Sequence, residues 1–270
     1  QFSMSGLFAE GTLARGFWIA MFLATAGVIL AYRVIAPIIA TATHRLTVSR
    51  VTPVGSDAVS IELTGRHLDA LGARGGHWLQ WRFLTPALAL QPHPFSLSAD
   101  PTDTTLRITV RNLGAGSGRL ATLRPGTRVA VEGPYGMFTD ASRTRERVVL
   151  VGAGIGIAPV RALLESTSFA PGDAAVILRA STPDELYLLD EVRALCGAKG
   201  ATLHVLVGPR AGDTWVPRSY AGAHLTDLVP WVGDADLYVC GPEAWMDAVL
   251  RNADECGIPA LQIHDERFAW

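Results

Sequence analysis

The spacing of apolar and polar positions divides the chain into three unlike stretches. From Gly16 to Tyr32 it reads GFWIAMFLATAGVILAY without a charge, and after Arg33 the apolar character resumes in VIAPII as far as Ile39. About 20 apolar residues cross a hydrocarbon core, so residues 17–39 suffice for a transmembrane helix if Arg33 snorkels to the head groups. Trp18 and Tyr32 stand near the ends, where interfacial aromatics collect, and Pro37 is expected at the helix end. A signal peptide and a buried soluble helix are the rival readings; ATAT at 40–43 is only weakly similar to a cleavage site.

Between His44 and Asp140 the period is two. RLTVSRV, AVSIEL, HWLQWRF, TLRITVRNL and TRVAVEG are separated by turn residues and by no long helical pattern, which predicts an antiparallel β-barrel. From Arg147 onward the pattern changes again. The apolar runs RVVLV, AAVILRA, ATLHVLV, ADLYVC and PALQIH alternate with VRALLES, PDELYLLDEVRALC, HLTDLV and EAWMDAVLRNADEC, all helical in spacing. Strands alternating with helices predict an α/β unit with a parallel sheet. The expected division is residues 1–43 for the transmembrane helix and its flanks, 44–143 for the barrel and 144–270 for the α/β domain.

Composition adds little to this and removes several classes. A net charge of −2 excludes a nucleic-acid footprint. The three cysteines, Cys196, Cys240 and Cys256, form no CxxC pair and no zinc pattern, so free thiols are expected. Arg33, His44, Arg45 and Arg50 follow the apolar segment and Arg15 alone precedes it. By the positive-inside rule residues 44–270 then lie on the cytoplasmic side of a cell membrane, with lipid around residues 17–39. No histidine falls within 17–39, so this helix cannot ligate haem alone. It reads as the last helix of a bundle, in a chain that starts at Gln1 as a fragment of something longer.

Four loops carry candidate chemistry. His93-Pro94-Phe95-Ser96-Leu97-Ser98 ends a strand with a cation or donor suited to a pyrophosphate, an aromatic ring for a flat ligand and two hydroxyls. Val110 and Arg111 close the strand LRITVR, and Gly114-Ala115-Gly116-Ser117-Gly118 then opens a short helix, with Ser117 at an N-cap-like position for a phosphate. Glu132-Gly133-Pro134-Tyr135-Gly136 is a tight turn that lets a flat ligand approach. Gly152-Ala153-Gly154-Ile155-Gly156-Ile157-Ala158-Pro159 lies between a strand and a helix, the place of a dinucleotide pyrophosphate loop. Taken alone, each short motif also reads as ordinary strand or turn.

Together HPFS, GSGRLATLRPG, GPYG and GAGIGIAP resemble the ferredoxin–NADP reductase superfamily over residues 44–270. His93, where soluble members carry an arginine, and the apolar helix before the barrel resemble its membrane ferric reductase and NADPH oxidase branch. The resemblance implies FAD held by His93, Pro94, Phe95, Ser96, Leu97, Ser98, Val110, Arg111, Gly116, Ser117, Gly118, Gly133 and Pro134. It implies NAD(P)H held by Gly152, Gly154, Ile155, Gly156, Pro159, Cys240, Gly241 and Pro242, with Ser96, Cys240, Glu266 and Phe268 at the reacting centre. Phe268 or Trp270 would cover the flavin, as a C-terminal aromatic does in that superfamily. Arg179, at the end of the second α/β strand, stands where an acid would bind a ribose, and Arg210, after the third, resembles the superfamily's 2′-phosphate arginine; two arginines favour NADPH, with NADH possible.

The activity so implied is hydride transfer from NADPH to FAD, then single electrons to haem in upstream helices, with ferric iron or dioxygen as final acceptor. The alternative is a reductase with a simple membrane anchor, serving an iron–sulfur or oxygenase partner protein. A scaffold that kept the fold and lost turnover is the non-enzymatic reading.

Overall fold

A computed structural model describes residues 12–112 and 114–267. The apolar segment is one long helical rod: α1 (Thr12–Leu30), a π-helical stretch over Ala31–Ile35, and α2 (Ala36–His44). By length and composition, Ala14–His44 can cross a membrane; its most apolar window has a mean hydropathy of 2.0 and is 0% buried.

Two expectations for this segment change. Pro37 does not end the helix. It has no N–H to donate, and the π-helical stretch lies directly upstream of it; the Ala36 N–H reaches back to the Ala31 carbonyl. The rod ends instead at Arg45, in the left-handed region at φ 47°. Arg33, for which head groups were the expected partner, has a partner within the protein: its guanidinium donates to Glu132 Oε1 of the barrel at 2.7 Å. A carboxylate within reach is a stronger partner for a guanidinium than water.

The barrel region forms two three-stranded antiparallel sheets. One has the order β1 (Thr47–Val54), β2 (Ala58–Thr64), β5 (Thr105–Arg111); the other has β4 (His93–Ser96), β3 (Trp78–Phe83), β6 (Val129–Tyr135). Bridges at Thr47–Arg128 and Leu97–Ile108 join them. Alternation along the strands turns Ile61, Leu63, Leu79, Trp81, Phe83, Ile108 and Val131 into one core. A short helix, α3 (Ala115–Leu120), follows β5.

The second half is a five-stranded parallel sheet in the order β11 (Ile263–Glu266), β10 (Ala235–Cys240), β7 (Arg147–Ala153), β8 (Ala174–Ala180), β9 (Thr202–Val207). Helices α4 (Ile157–Ser166), α5 (Leu189–Lys199), α6 (Leu225–Leu228) and α7 (Glu243–Glu255) connect the strands. Order reverses between β7 and β10, so the carboxyl ends of these two strands open a crevice at the topological switch point.

The single helix expected over PDELYLLDEVRALC is broken. A 3₁₀ turn spans Pro183–Glu185, Leu188 adopts φ 57°, and α5 begins at Leu189. Tyr187 and Leu188 are drawn out of the helix into a buried cluster with Ala58 of the barrel and Ala158 of α4. That packing offsets the local helical preference.

Candidate functional site

β4 of the barrel meets the carboxyl edge of the parallel sheet at one contact. Ser96 Oγ donates to Glu266 Oε1 at 2.6 Å, and both residues are buried. Glu266 is the last residue of β11 and pairs in register with Cys240 of β10, which pairs with Gly152 of β7. The HPFS strand, the C-terminal strand, the Cys-Gly-Pro turn and the glycine loop, distant in sequence, therefore converge on the crevice.

Burial pushes the Glu266 carboxyl up to about 7, the hydrogen bond from Ser96 opposing the rise. Its second oxygen, Oε2, is buried with no partner among the described residues. Gly136, at φ 97°, sits beside that oxygen and the Trp78 ring, where a Cβ would stand 3.0 Å from Trp78 Cδ1 and 3.4 Å from Oε2. Trp78 lies opposite both Ser96 and Tyr135 across β3, and its ring packs on Tyr135 at 4.7 Å between centroids. These two aromatics wall the site.

His93 is half-buried and stacks on Phe95, with ring centroids 5.8 Å apart and planes at 4°. Burial lowers its pKa, which favours the neutral ring and, of the two roles expected for it, the donor over the cation. Its Nε2 is buried without a partner among the described residues. Pro94 is exposed between them. The other strand residues turn inward. Leu97 and Val110 belong to the barrel core. Ser98 is fully buried and accepts from Thr109 Oγ1 at 2.9 Å and Arg107 Nε at 3.2 Å. The side chains of Leu97, Ser98 and Val110 are therefore packed inward, which leaves the backbone of these residues to meet a ligand.

Arg111 is held by Asp57 Oδ2 at 2.6 Å and by Glu185 at 3.6 Å. Asp57 also accepts from the Tyr187 hydroxyl at 2.5 Å, and that bond, followed by the Arg111 guanidinium against the opposing effect of burial, holds its carboxyl below the usual range. Gly114, not Ser117, is the N-cap of α3; Gly116, Ser117 and Gly118 lie within the helix. Phe268 and Trp270 lie outside the described residues.

On the dinucleotide side, Gly154 has φ 54° and open space where a Cβ would be, so this turn leaves room for a ligand. Gly156 serves a different end. A Cβ there would overlap the Cys240 carbonyl, so glycine lets the loop close onto the turn after β10. Ile155 packs against the Ala58–Tyr187 cluster, Pro159 is buried in α4, and Gly241 abuts the Trp245 ring. Gly133 and Pro134 end β6. The Cys240 thiol itself is enclosed in the core with Phe138, Val148 and Tyr238, and burial raises its pKa well above the ordinary value. Only its backbone reaches the crevice.

Arg179 is 3% exposed and donates to the Gly208 carbonyl at 2.6 Å; burial, then the neighbouring charge of Arg210, lowers its pKa. Arg210 is less enclosed and donates to the Thr214 carbonyl at 2.9 Å. The two guanidiniums share one side of the sheet's carboxyl edge.

Trp78, Asp57 and Tyr187 belong to no motif of the sequence, and Tyr135 enters only as part of the Glu132–Gly136 turn. Trp78 was legible in principle, since the alternation of HWLQWRF puts it on the face opposite Leu79 and Trp81. The Asp57–Tyr187 contact, between residues 130 positions apart, leaves no local signal.

Residues 150–251 match the oxidoreductase NAD-binding domain family. The chain is 32% identical over 153 residues to the reductase component of propane 2-monooxygenase from Rhodococcus jostii (strain RHA1), covering 53% of this chain and 41% of that one. It is 28% identical over 234 residues to the ferredoxin reductase component of 3-ketosteroid-9-alpha-monooxygenase from Rhodococcus rhodochrous, covering 83% of this chain and 64% of that one. Both relatives are thus spanned by less than two thirds of their length. The flavohem-like FAD/NAD binding domain of nitric oxide dioxygenase from Vibrio cholerae O1 biovar El Tor superposes with a TM-score of 0.69 at 22% identity, over 84% of this chain and 99% of that one. That likeness is one of fold: antiparallel sheets followed by a five-stranded parallel sheet.

Proposed function

We propose that this chain is an electron-transfer reductase unit that takes hydride from NADPH onto FAD and delivers single electrons to a partner oxygenase or iron–sulfur protein. In this reading the N-terminal helix is a membrane anchor and residues 44–270 are cytoplasmic. The observation that carries it is the Ser96–Glu266 contact, which sets a flavin-type strand against the carboxyl edge of the nucleotide sheet.

The residues suit both dinucleotides. His93 Nε2 and Glu266 Oε2 are buried polar atoms in want of partners, flanking a site walled by Trp78 and Tyr135. Gly154 leaves space at the pyrophosphate loop. Bound FAD supplies the step from two-electron to one-electron chemistry. The chain's own groups do the rest. His93 donates to the flavin phosphates, while Phe95 and Ser96 set the ring's position. Glu266, with a pKa of about 7, holds or yields a proton beside Ser96. The Gly116–Gly118 segment and Arg111 support the flavin, Arg111 after exchanging part of its Asp57 contact. The turns at Gly152–Pro159 and Cys240–Pro242 seat the nicotinamide nucleotide, and Arg210 faces its 2′-phosphate while Arg179 holds the Gly208 loop beside it.

Three cysteines fall short of the four thiolates of a plant-type iron–sulfur cluster, so a cluster of that kind would belong to another segment or to a partner protein. The names of the relatives point the same way. A second reading, haem-bearing helices upstream as in a ferric reductase or NADPH oxidase, is favoured by one observation: the apolar rod runs straight into the barrel and is pinned there by Arg33 and Glu132.

Anaerobic stopped flow tests the proposal. The purified chain should retain FAD and bleach it with NADPH, then reduce a ferredoxin-type acceptor. A chain that holds no flavin, or holds it unreduced by either nicotinamide, would refute it. Reduction of an upstream haem in the full-length protein would select the second reading.

A further inference from the structure

A groove of about 990 Å³ runs between the last turns of the apolar rod and the outward face of β3 and β6. Its charge is one-sided. Arg33, Arg45, Arg82 and Arg128 line it, against the single acid Glu132. That acid is already occupied, accepting from both Arg33 and the Tyr135 hydroxyl. Arg82 and Arg128 have no side-chain hydrogen bond or ion pair among the described residues, and Arg45 reaches only the Ala42 carbonyl of its own helix end, at 3.4 Å. Three guanidiniums around one concavity repel one another unless an anion sits between them.

The other wall is apolar. Val34, Pro37 and Ile38 line the groove from the rod, and Leu84 from the sheet side. Val34, Ile38 and Leu84 are 45%, 62% and 44% exposed. Beyond Arg33 the helix carries no charge from Tyr32 back to Gly16. A molecule matched to this groove has a phosphate at one end and hydrocarbon at the other. The cytoplasmic leaflet, on the side where the arginines lie under the positive-inside rule, is rich in such anionic lipids.

We propose that this groove seats the head group of one anionic glycerophospholipid, with Arg45, Arg82 and Arg128 around its phosphate and its acyl chains along Val34 and Ile38. The inference rests on reading the rod as a membrane helix. The bound lipid would set how the barrel sits on the bilayer.

The test uses the full chain in nanodiscs of phosphatidylcholine containing a minority of phosphatidylglycerol, with co-purifying lipids counted by mass spectrometry. Phosphatidylglycerol should be enriched on the order of tenfold over the bulk ratio. Arg82→Gln with Arg128→Gln should return it to the bulk ratio. Arg82→Lys with Arg128→Lys should keep most of it, and Arg193→Gln, on the far surface of α5, should keep all. Bulk-ratio lipid on the wild type, or unchanged enrichment in the double glutamine variant, would overturn the proposal. So would displacement by soluble glycerophosphate at equal concentration, which would mark a free-phosphate site. A chain that does not enter the nanodiscs would overturn the membrane reading with it. Flavin reduction by NADPH in the same preparations reports the proposed reductase function separately.

Discussion

Ser96 donates its hydroxyl proton to Glu266 across 170 positions of sequence, and this 2.6 Å contact joins the flavin-type strand to the last strand of the nucleotide sheet. It has a consequence for stability. In the folded chain the Glu266 carboxyl titrates near 7, against 4.5 for the ordinary side chain. A carboxyl whose pKa is raised on folding binds more protons folded than unfolded, so stability falls as pH climbs through the window between the two values and levels off above it. The shift corresponds to about 3 kcal/mol lost across that window. Glu266→Gln has no charge to bury and should remove the slope. Urea unfolding at pH 5 and pH 8 checks this: the variant should gain on the wild type at the higher pH. A parallel loss in both proteins would show that Glu266 is not the titrating group.

Ser96→Ala addresses the chemistry proposed for the same pair. It leaves Glu266 without its donor while the rest of the strand is unchanged. Flavin should stay bound and its reduction by NADPH should slow by about a hundredfold, the size of effect typical for losing one well-placed donor. Stopped-flow absorbance at the flavin band reads it, and an unchanged rate would remove Ser96 from the reacting centre.

Much of this arrangement is legible in the sequence because it is local. The switch from period two to buried apolar runs near Arg147 marks the change from antiparallel to parallel sheet, and the strand–glycine loop–helix order around Gly152–Pro159 appears as β7, the turn and α4. What escapes is decided by contacts between distant residues. Leu188 breaks a good helical pattern because Tyr187 finds Asp57, and Arg33 of the apolar rod pairs with Glu132, 99 positions away. Arg111 is held by the same Asp57, which no spacing rule announces.

The Asp57–Tyr187–Arg111 cluster should act as a latch between the barrel and the nucleotide sheet. Tyr187→Phe deletes one hydrogen bond to a charged acceptor and should cost about 2 kcal/mol. Asp57→Ala should cost more, because it strands both the Tyr187 hydroxyl and the Arg111 guanidinium. Denaturant midpoints of the two variants give the order. A Tyr187→Phe protein as labile as Asp57→Ala would place the energy in the ring's packing against Ala58 and Ala158 and not in the latch.

Cofactor choice is the last expectation, and it separates two arginines that look alike in sequence. Arg179 is enclosed and committed to the Gly208 carbonyl, so it holds the shape of the loop after β9. Arg210 is more open and its contacts are to the backbone carbonyls of Thr214 and of Ala244 in the first turn of α7, which a phosphate can replace. Arg210→Glu should therefore lower kcat/KM for NADPH by at least about tenfold while leaving NADH nearly unchanged, since only NADPH carries the extra charge. Arg179→Met should lower both, through displacement of the Gly208 loop. Steady-state kinetics with the two nucleotides distinguishes the variants. Equal losses with NADPH and NADH in Arg210→Glu would take that residue out of phosphate recognition and leave the preference to the loop that Arg179 shapes.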